Sequence, residues 1–153
     1  MKLKANQIAP NFKLDSTDGN LFELNKIKKK NIILYFYPKD DTPGCTTETN
    51  DFNKLLSSFK KLNCEVYGIS KDNLASHDKF KDKYKIKFDL LADEELKLLK
   101  KYIVWGKKKF MGREFMGTIR STFIIEKNKI VKEWRNVKAA GHAADVLDFI
   151  KNY

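Results

Sequence analysis

The chain has 153 residues and a formal net charge of +11, and 42% of its residues are hydrophobic. This length and composition predict a single domain, 1–153, with its own core, and exclude a disordered or fibrous chain. No apolar run is long enough to cross a bilayer, and residues 1–7 lack the apolar core of a signal sequence. Two cysteines are too few for a disulfide framework, so a cytoplasmic, reducing setting is expected.

The positive charge comes from lysines spread along the chain, with short clusters only at 26–30 and 107–109. Such clusters are usually solvated faces. No zinc-ligand spacing and no RNA-binding motif accompanies them. We therefore expect no specific nucleic-acid partner and no membrane partner.

The first predicted elements are a hairpin and a buried strand. Apolar residues alternate in 12–14 and 21–24, on either side of a turn that contains Asp18-Gly19, which predicts an N-terminal β-hairpin. The run 32–37, Ile-Ile-Leu-Tyr-Phe-Tyr, is short, β-branched and aromatic, which predicts a buried strand.

A tight loop and a helix follow this strand. Pro38, Pro43 and Gly44 prevent the strand from continuing. Beyond them, the apolar residues at 52, 55, 56 and 59 fall at helical spacing.

The rest of the chain alternates between strand and helix patterns. We predict strands at 64–70 and 88–91, helices at 72–84 and 94–102, a second hairpin of strands 118–126 and 130–134, and a final helix at 143–150. The aromatic and basic segment 104–117 is predicted to be irregular. This order predicts the α/β class, with a mixed central sheet flanked by helices.

Cys45 lies where the loop meets the helix. Thr42 fits the N-cap position, and Pro43 fits the first helical position. Cys45 then falls in the first turn, where free backbone N–H groups and the helix dipole favour a thiolate over a thiol. Gly44 has no Cβ, so a small ligand can approach the backbone N–H groups closely. The alternative is a buried structural cysteine, but the polar, proline-containing loop favours a reactive one.

The string 37–48, Tyr-Pro-Lys-Asp-Asp-Thr-Pro-Gly-Cys-Thr-Thr-Glu, resembles the active-site signature of the peroxiredoxins, in particular the bacterioferritin-comigratory-protein or peroxiredoxin Q branch. Its core is Pro38-x-x-x-Thr42-x-x-Cys45, and the likeness extends from 9–12 to 138–143, almost the whole chain. The resemblance implies a thioredoxin-like fold with an added N-terminal hairpin. It also implies an antioxidant thiol-dependent peroxidase for hydrogen peroxide and organic hydroperoxides, with thioredoxin or another thiol as reductant, in a monomer or weak dimer.

Peroxide reduction requires an ionised sulfur, hydrogen-bond donors for both peroxide oxygens and a fixed cation. We expect Cys45 to supply the sulfur. The hydroxyl of Thr42 and the backbone N–H groups of Gly44 and Cys45 are the expected donors, and Pro38 is expected to shield the pocket from water.

The cation is missing from this local motif. Arg120 lies within the strand predicted at 118–126, and the segment 117–123 resembles the family segment that brings an arginine beside the thiolate. We assign that role to Arg120; the alternative is an edge-strand arginine that faces solvent. Glu48 either orients Arg120, as the family pattern implies, or is an acid favourably placed in the first helical turn.

Three aromatic residues in the segment 104–117 allow two interpretations. They either wall the peroxide pocket or pack in the core: Trp105, Phe110 and Phe115.

A sulfenic acid on Cys45 must be captured by a second thiol. Many relatives in this branch carry that thiol five residues later, where this chain has Asn50. Cys64 starts a buried strand, and an inert core thiol is favoured there over a resolving cysteine, since a disulfide requires Cα atoms within about 7 Å. The leading expectation is a one-cysteine cycle completed by an external or partner-subunit thiol.

Neither His77 nor His142 sits with acids or cysteines at metal-ligand spacing, so we expect no metal and no cofactor. Two other functions stay open. A thiol–disulfide oxidoreductase on the same fold would normally need Cys-x-x-Cys, but Thr42 stands three residues before Cys45. A redox sensor would be oxidised stoichiometrically and would not turn over.

Overall fold

The computed structural model describes residues 7–153. Residues 1–6 lie outside the described residues, and they include most of the segment that was predicted to lack a signal-sequence core. The strands are β1 (Lys13–Ser16), β2 (Leu21–Glu23), β3 (Asn31–Phe36), β4 (Cys64–Ser70), β5 (Leu90–Ala92), β6 (Trp105–Phe110), β7 (Arg113–Thr118), β8 (Ser121–Glu126) and β9 (Lys129–Arg135). The α-helices are α1 (Pro43–Lys54), α2 (Leu56–Lys61), α3 (Leu74–Tyr84), α4 (Lys97–Lys101) and α5 (His142–Lys151).

Seven strands form one mixed sheet in the order β2-β1-β5-β4-β3-β8-β9. The central strands β3, β4 and β5 are parallel, and the outer pairs are antiparallel. Helices connect the parallel neighbours, because a parallel pair requires a long crossover. The predicted mixed sheet, flanking helices and N-terminal hairpin are confirmed.

Strand β3 is buried on both faces, as its continuous apolar run predicts. Its side chains alternate between two core clusters. Ile32, Leu34 and Phe36 pack in the cluster that contains α4 residues, whereas Ile33 and Tyr35 pack in the cluster that contains residues of α1, α2, α3 and α5. The helical layer over the second face is therefore the larger one, and Cys45 belongs to it.

The helix predicted to continue to residue 59 is divided. Helix α1 ends at Lys54, and α2 begins at Leu56 after Leu55 adopts a ψ of 2°. Leu56 and Phe59 are still buried in the second cluster. The apolar spacing thus predicted which side chains are buried but missed the break between the two helices.

The prediction that 104–117 is irregular is wrong. Strands β6 and β7 form an antiparallel hairpin, paired from Trp105 with Thr118 to Phe110 with Arg113. Its two-residue turn, Met111-Gly112, has positive φ at both positions, which matches the twist of a hairpin. Because β6 is rich in lysine and lacks apolar alternation, its sequence gave no strand signal.

Along residues 7–153, every helix is too short or too polar to span a membrane.

Candidate active site

Cys45 is the third residue of α1 and follows the loop 37–42, hereafter the active-site loop. Thr42 has the extended backbone of an N-cap residue and Pro43 opens the helix, as predicted. However, the Thr42 side chain makes no capping bond; its hydroxyl instead donates to the Lys39 carbonyl at 2.8 Å. The hydroxyl must therefore rotate before it can donate to a ligand at the sulfur.

Arg120 links Cys45 to Glu48. Its Nη2 donates to Cys45 Sγ at 3.4 Å, and its Nη1 donates to Glu48 Oε1 at 2.7 Å. Arg120 was predicted to lie inside a strand, and this prediction is wrong. It lies between β7 and β8, one residue before Ser121. Its carbonyl accepts a hydrogen bond from the Val137 N–H at 3.1 Å, which fixes the backbone at this junction.

Gly44 allows the guanidinium to lie against the first turn of α1. A Cβ at this position would be 3.1 Å from Arg120 Nη2, closer than most real Cβ contacts. Glycine at this position therefore leaves room for the guanidinium, in addition to any close approach of a ligand.

Glu48 is fully buried beneath Arg120. Burial raises the pKa of Glu48 to about 7, although the charge and hydrogen bond of Arg120 act in the opposite direction. Within residues 7–153, no hydrogen-bond partner reaches its second oxygen, Oε2. The single strong contact of this carboxyl is thus the charge-assisted bond to Arg120.

Lys108 is a second cation that the sequence did not identify as part of the site. Its amine donates to the Thr118 carbonyl at 2.9 Å. Burial lowers the pKa of Lys108, the positive charge of Arg120 lowers it further, and Cys45 acts in the opposite direction. Lys108 therefore interacts electrostatically with both Arg120 and Cys45. The sequence missed it because the segment 104–117 was predicted to be irregular.

The sulfur lies in a confined position. Cys45 is 1% exposed, and Pro38 in the active-site loop is half-buried. Trp105 packs against the first core cluster, but Phe110 and Phe115 are 67% and 46% exposed. Core packing is therefore wrong as an explanation for the last two aromatics.

Cys64 lies far from Cys45. It begins β4 opposite Asn31, whereas Cys45 follows the other end of β3, where Phe36 is paired with Ile69. Five residues along a strand span roughly 16 Å, well beyond the Cα separation of a disulfide. Cys64 is 1% exposed, and burial raises the pKa of its thiol. In this fold a Cys45–Cys64 bond would therefore require a large movement of the backbone.

Two acids lie close to His77 in the fold. His77 Nδ1 is 2.7 Å from Asp40 Oδ2, and Asp72 completes a group whose ligand atoms lie within 4.8 Å of one another. Thirty-seven residues separate His77 from Asp40, so sequence spacing gave no sign of the contact. Both ring nitrogens already have protein partners, because Nε2 lies 2.9 Å from the Leu91 carbonyl. Hydrogen bonding therefore accounts for this cluster.

His142 opens α5, close to its predicted place, and Nε2 lies 2.7 Å from the Thr122 hydroxyl. Burial lowers the pKa of His142 to about 4; Asp145 opposes this shift and Arg120 adds to it. His142 is therefore neutral at physiological pH.

The fold and the site together define a class. A thioredoxin-like sheet that places a cysteine at the start of a helix, beside an arginine from a distant segment, is the arrangement of the thiol-dependent peroxidases known as peroxiredoxins. The chain belongs to the AhpC/TSA family, whose model matches residues 5–134. Within that family it belongs to the Bcp/peroxiredoxin Q branch.

Curated relatives and solved structures agree on this branch. The chain is 44% identical to peroxiredoxin Bcp of Bacillus subtilis, over 99% of this chain and 98% of the relative. It is 35% identical to peroxiredoxin Bcp of Escherichia coli, over 99% and 97% of the two chains. Among solved structures, peroxiredoxin Q of Xanthomonas campestris superposes with a TM-score of 0.87 at 38% identity, covering 93% of this chain and 90% of the other.

A second structure, the bacterioferritin comigratory protein of Xanthomonas campestris, has a TM-score of 0.86 at 38% identity and covers 92% and 90% of the two chains. That protein has alkyl peroxide reduction activity. The predicted thioredoxin-like fold and the predicted thiol-dependent peroxidase are confirmed.

Proposed function

We propose that Cys45 is the peroxidatic cysteine and that Arg120 is the cation that stabilises its thiolate. The guanidinium that joins Cys45 Sγ to Glu48 is the observation on which this proposal rests. A hydrogen bond from a fixed, partly buried cation favours the thiolate and also stabilises negative charge as it develops on a leaving oxygen. Glu48 holds the guanidinium in place through its charge-assisted bond.

The reaction conserves atoms and electrons as follows. The Cys45 thiolate attacks one peroxide oxygen, the O–O bond breaks, and an S–O bond forms. The other oxygen leaves as water or an alcohol after it accepts a proton. The sulfur loses two electrons to become a sulfenic acid, and the peroxide gains them.

Three residues and the backbone of Cys45 itself surround the attacking sulfur in this proposal. The hydroxyl of Thr42 and the backbone N–H groups of Gly44 and Cys45 donate to the peroxide oxygens, and Pro38 limits access of water. The position of the first turn of α1 supports these roles, because its N–H groups have no partners within the helix. Thr42 takes up its role once its hydroxyl rotates away from the Lys39 carbonyl.

The substrates in this proposal are hydrogen peroxide and organic hydroperoxides. The confined sulfur suits a small terminal peroxide group. The alkyl peroxide reduction described for the relative from Xanthomonas campestris supports the organic class.

The cycle proposed here uses one cysteine of this chain. Asn50 occupies the position five residues after Cys45, and Cys64 is buried at the far end of β3 and β4. An external thiol such as thioredoxin attacks the sulfenic acid, releases water and forms a mixed disulfide, and a second thiol then restores the Cys45 thiolate.

The same proposal includes a monomer or weak dimer in a reducing, cytoplasmic setting with no specific nucleic-acid partner. Both cysteines are free, and the lysines are dispersed over the sequence.

Turnover by two cysteine variants tests the proposal. Cys45→Ser should abolish peroxide consumption in the presence of dithiothreitol or thioredoxin, whereas Cys64→Ser should retain both the first oxidation and turnover. Loss of turnover in Cys64→Ser with the first oxidation intact would show that Cys64 resolves the sulfenic acid. Oxidation of the unsubstituted protein without turnover by any dithiol would favour the redox sensor instead.

A further inference from the structure

The active-site loop is tied to α3 through one buried carboxylate. Asp40 is 7% exposed, and its Oδ2 lies 2.7 Å from His77 Nδ1 and accepts from the Ser76 hydroxyl at 2.8 Å. Its Oδ1 accepts from the Tyr37 hydroxyl at 2.6 Å. Burial raises the pKa of Tyr37 well above its usual range, so this hydroxyl keeps its proton and donates. Asp40 is therefore surrounded by donors.

Counting protons defines the contact between His77 and Asp40. The Leu91 carbonyl can only accept, so the His77 Nε2 that lies 2.9 Å from it carries a hydrogen. The 2.7 Å contact between Nδ1 and Asp40 Oδ2 requires a second proton, located on one atom or the other. Because Asp40 also accepts from two hydroxyls, the shared proton completes a set of three hydrogen bonds at this carboxyl group.

The segment 72–84, which contains α3, holds the loop at two further points. The Asp40 N–H donates to Asp72 Oδ2 at 2.9 Å, just before the helix. Asp41, which has a left-handed φ of 58°, accepts from Lys83 at 2.8 Å and from the Tyr84 hydroxyl at 2.6 Å. Thr42 follows directly, and Cys45 is three residues further on. The fully buried contact in this set is the one to His77.

We infer that His77, through the proton that it shares with Asp40, is a positioning residue for the peroxidase reaction. It fixes the active-site loop and so the backbone position of Thr42, whose hydroxyl is the proposed donor to the peroxide. This inference rests on the proposed roles of Cys45 and Thr42. It assigns the His77–Asp40 pair a part in peroxide reactivity that differs from the ionisation of Cys45, which depends on Arg120 and the start of α1.

Two near-isosteric variants of His77 distinguish the contribution of Nδ1 from that of Nε2. His77→Asn places an amide N–H near the position of Nδ1 and retains the bond to Asp40. His77→Gln places its amide near the position of Nε2 and retains the bond to Leu91 only. Ser76→Ala is a milder variant that removes one of the three donors to Asp40 and leaves His77 in place.

Lys81→Met is the matched control. Lys81 lies one turn further along α3, and its amine bonds to Asp89 at 3.1 Å and to Thr17 at 3.3 Å, away from the active-site loop. This variant weakens the attachment of α3 without a change at Asp40.

Each variant is measured at a temperature where circular dichroism shows it to be folded. Two rates are compared: the second-order rate constant for Cys45 oxidation by hydrogen peroxide, and the rate of Cys45 alkylation by iodoacetamide. Alkylation requires the thiolate but no donors for a leaving peroxide oxygen. We expect His77→Gln to lower the peroxide rate by about 10-fold or more without a fall in the alkylation rate, since small displacements of a reacting group are costly.

His77→Asn should stay within about threefold of the unsubstituted protein, with Ser76→Ala between the two and Lys81→Met unchanged. Equal peroxide rates for His77→Gln, His77→Asn and Lys81→Met would overturn the inference, and so would a parallel fall in both rates. Failure of the proposed function has a different signature, because Cys45→Ser would then consume peroxide as fast as the unsubstituted protein.

Discussion

Arg120 lies 3.4 Å from the Cys45 sulfur although 75 residues separate the two in the chain. The same guanidinium bonds to the buried Glu48, so its position does not depend on solvent-exposed contacts. A planar group with several donors can bond to the Glu48 carboxyl group and the Cys45 sulfur at once, whereas an ammonium cannot reproduce both bonds in the same geometry.

Substitution of Arg120 should therefore slow peroxide reduction strongly. Arg120→Ala is expected to lower the second-order rate constant by about 10² to 10³, the usual effect of removing a donor aimed at developing charge. Arg120→Lys should recover only part of the rate. Stopped-flow oxidation of Cys45 measures both, with Arg113→Ala on the exposed hairpin as the control. A rate for Arg120→Ala close to that of the control would remove Arg120 from the mechanism.

Gly44 and Gly68 provide a matched pair of glycine substitutions with different consequences. Gly44→Ala places a methyl group 3.1 Å from Arg120 Nη2, so it should displace the guanidinium and lower the peroxide rate by about 10-fold with little change in stability. Gly68→Ala places one 2.7 Å from the Tyr35 ring and 2.8 Å from the Leu90 side chain, so it meets core side chains and not Arg120. It should lower the free energy of unfolding by about 1–3 kcal/mol through overpacking. Peroxide kinetics and urea denaturation of both variants check the pair; the same loss in both properties for both variants would contradict it.

Glu48 should make the protein less stable as the pH rises. Its pKa is raised from 4.5 to about 7 by burial, so the folded chain holds a proton that the unfolded chain releases. The contribution of Glu48 is fully present below pH 4.5 and is lost as the pH rises through 7. As the pH rises between these values, the free energy of unfolding of Glu48→Gln should therefore increase by about 1–3 kcal/mol relative to that of the unsubstituted protein. Urea denaturation at several pH values measures the difference, and a constant difference would show that Glu48 is ionised throughout.

His142 should make the protein less stable as the pH falls. Burial lowers its pKa from 6.5 to about 4, so the unfolded chain binds a proton that the folded chain excludes. Its contribution is present above pH 6.5 and is lost as the pH falls through 4. His142→Gln keeps an amide near Nε2 for Thr122 and removes the titration. On acidification, the free energy of unfolding of this variant should fall by about 1–2 kcal/mol less than that of the unsubstituted protein. An equal acid loss in both proteins would assign that loss to other groups.

The sequence predicted the parts of this molecule that depend on local patterns. The apolar run in β3 and the proline-bounded loop before α1 are short-range signals, and they located Cys45 at the start of the helix. Arg120 was identified because its segment resembles that of a family. No periodicity distinguishes it from the other lysines and arginines, of which the chain has 31 in all.

Other features depend on contacts between distant residues and left no local pattern. The His77–Asp40 pair joins a loop to a helix 37 residues away. The β6–β7 hairpin carries lysines where a strand pattern would show apolar residues, so neither the hairpin nor Lys108 was predicted. The break at Leu55 occurs without proline or glycine, and the spacing of buried residues continues across it.

The most direct test of the proposed chemistry is mass spectrometry after one equivalent of hydrogen peroxide, with dimedone present to trap sulfenic acid. The account predicts a single dimedone adduct on Cys45, an unmodified Cys64 thiol, and no adduct at all in Cys45→Ser. A Cys45 that stays reduced while the peroxide is consumed, or a sulfenic acid on Cys64 alone, would contradict it.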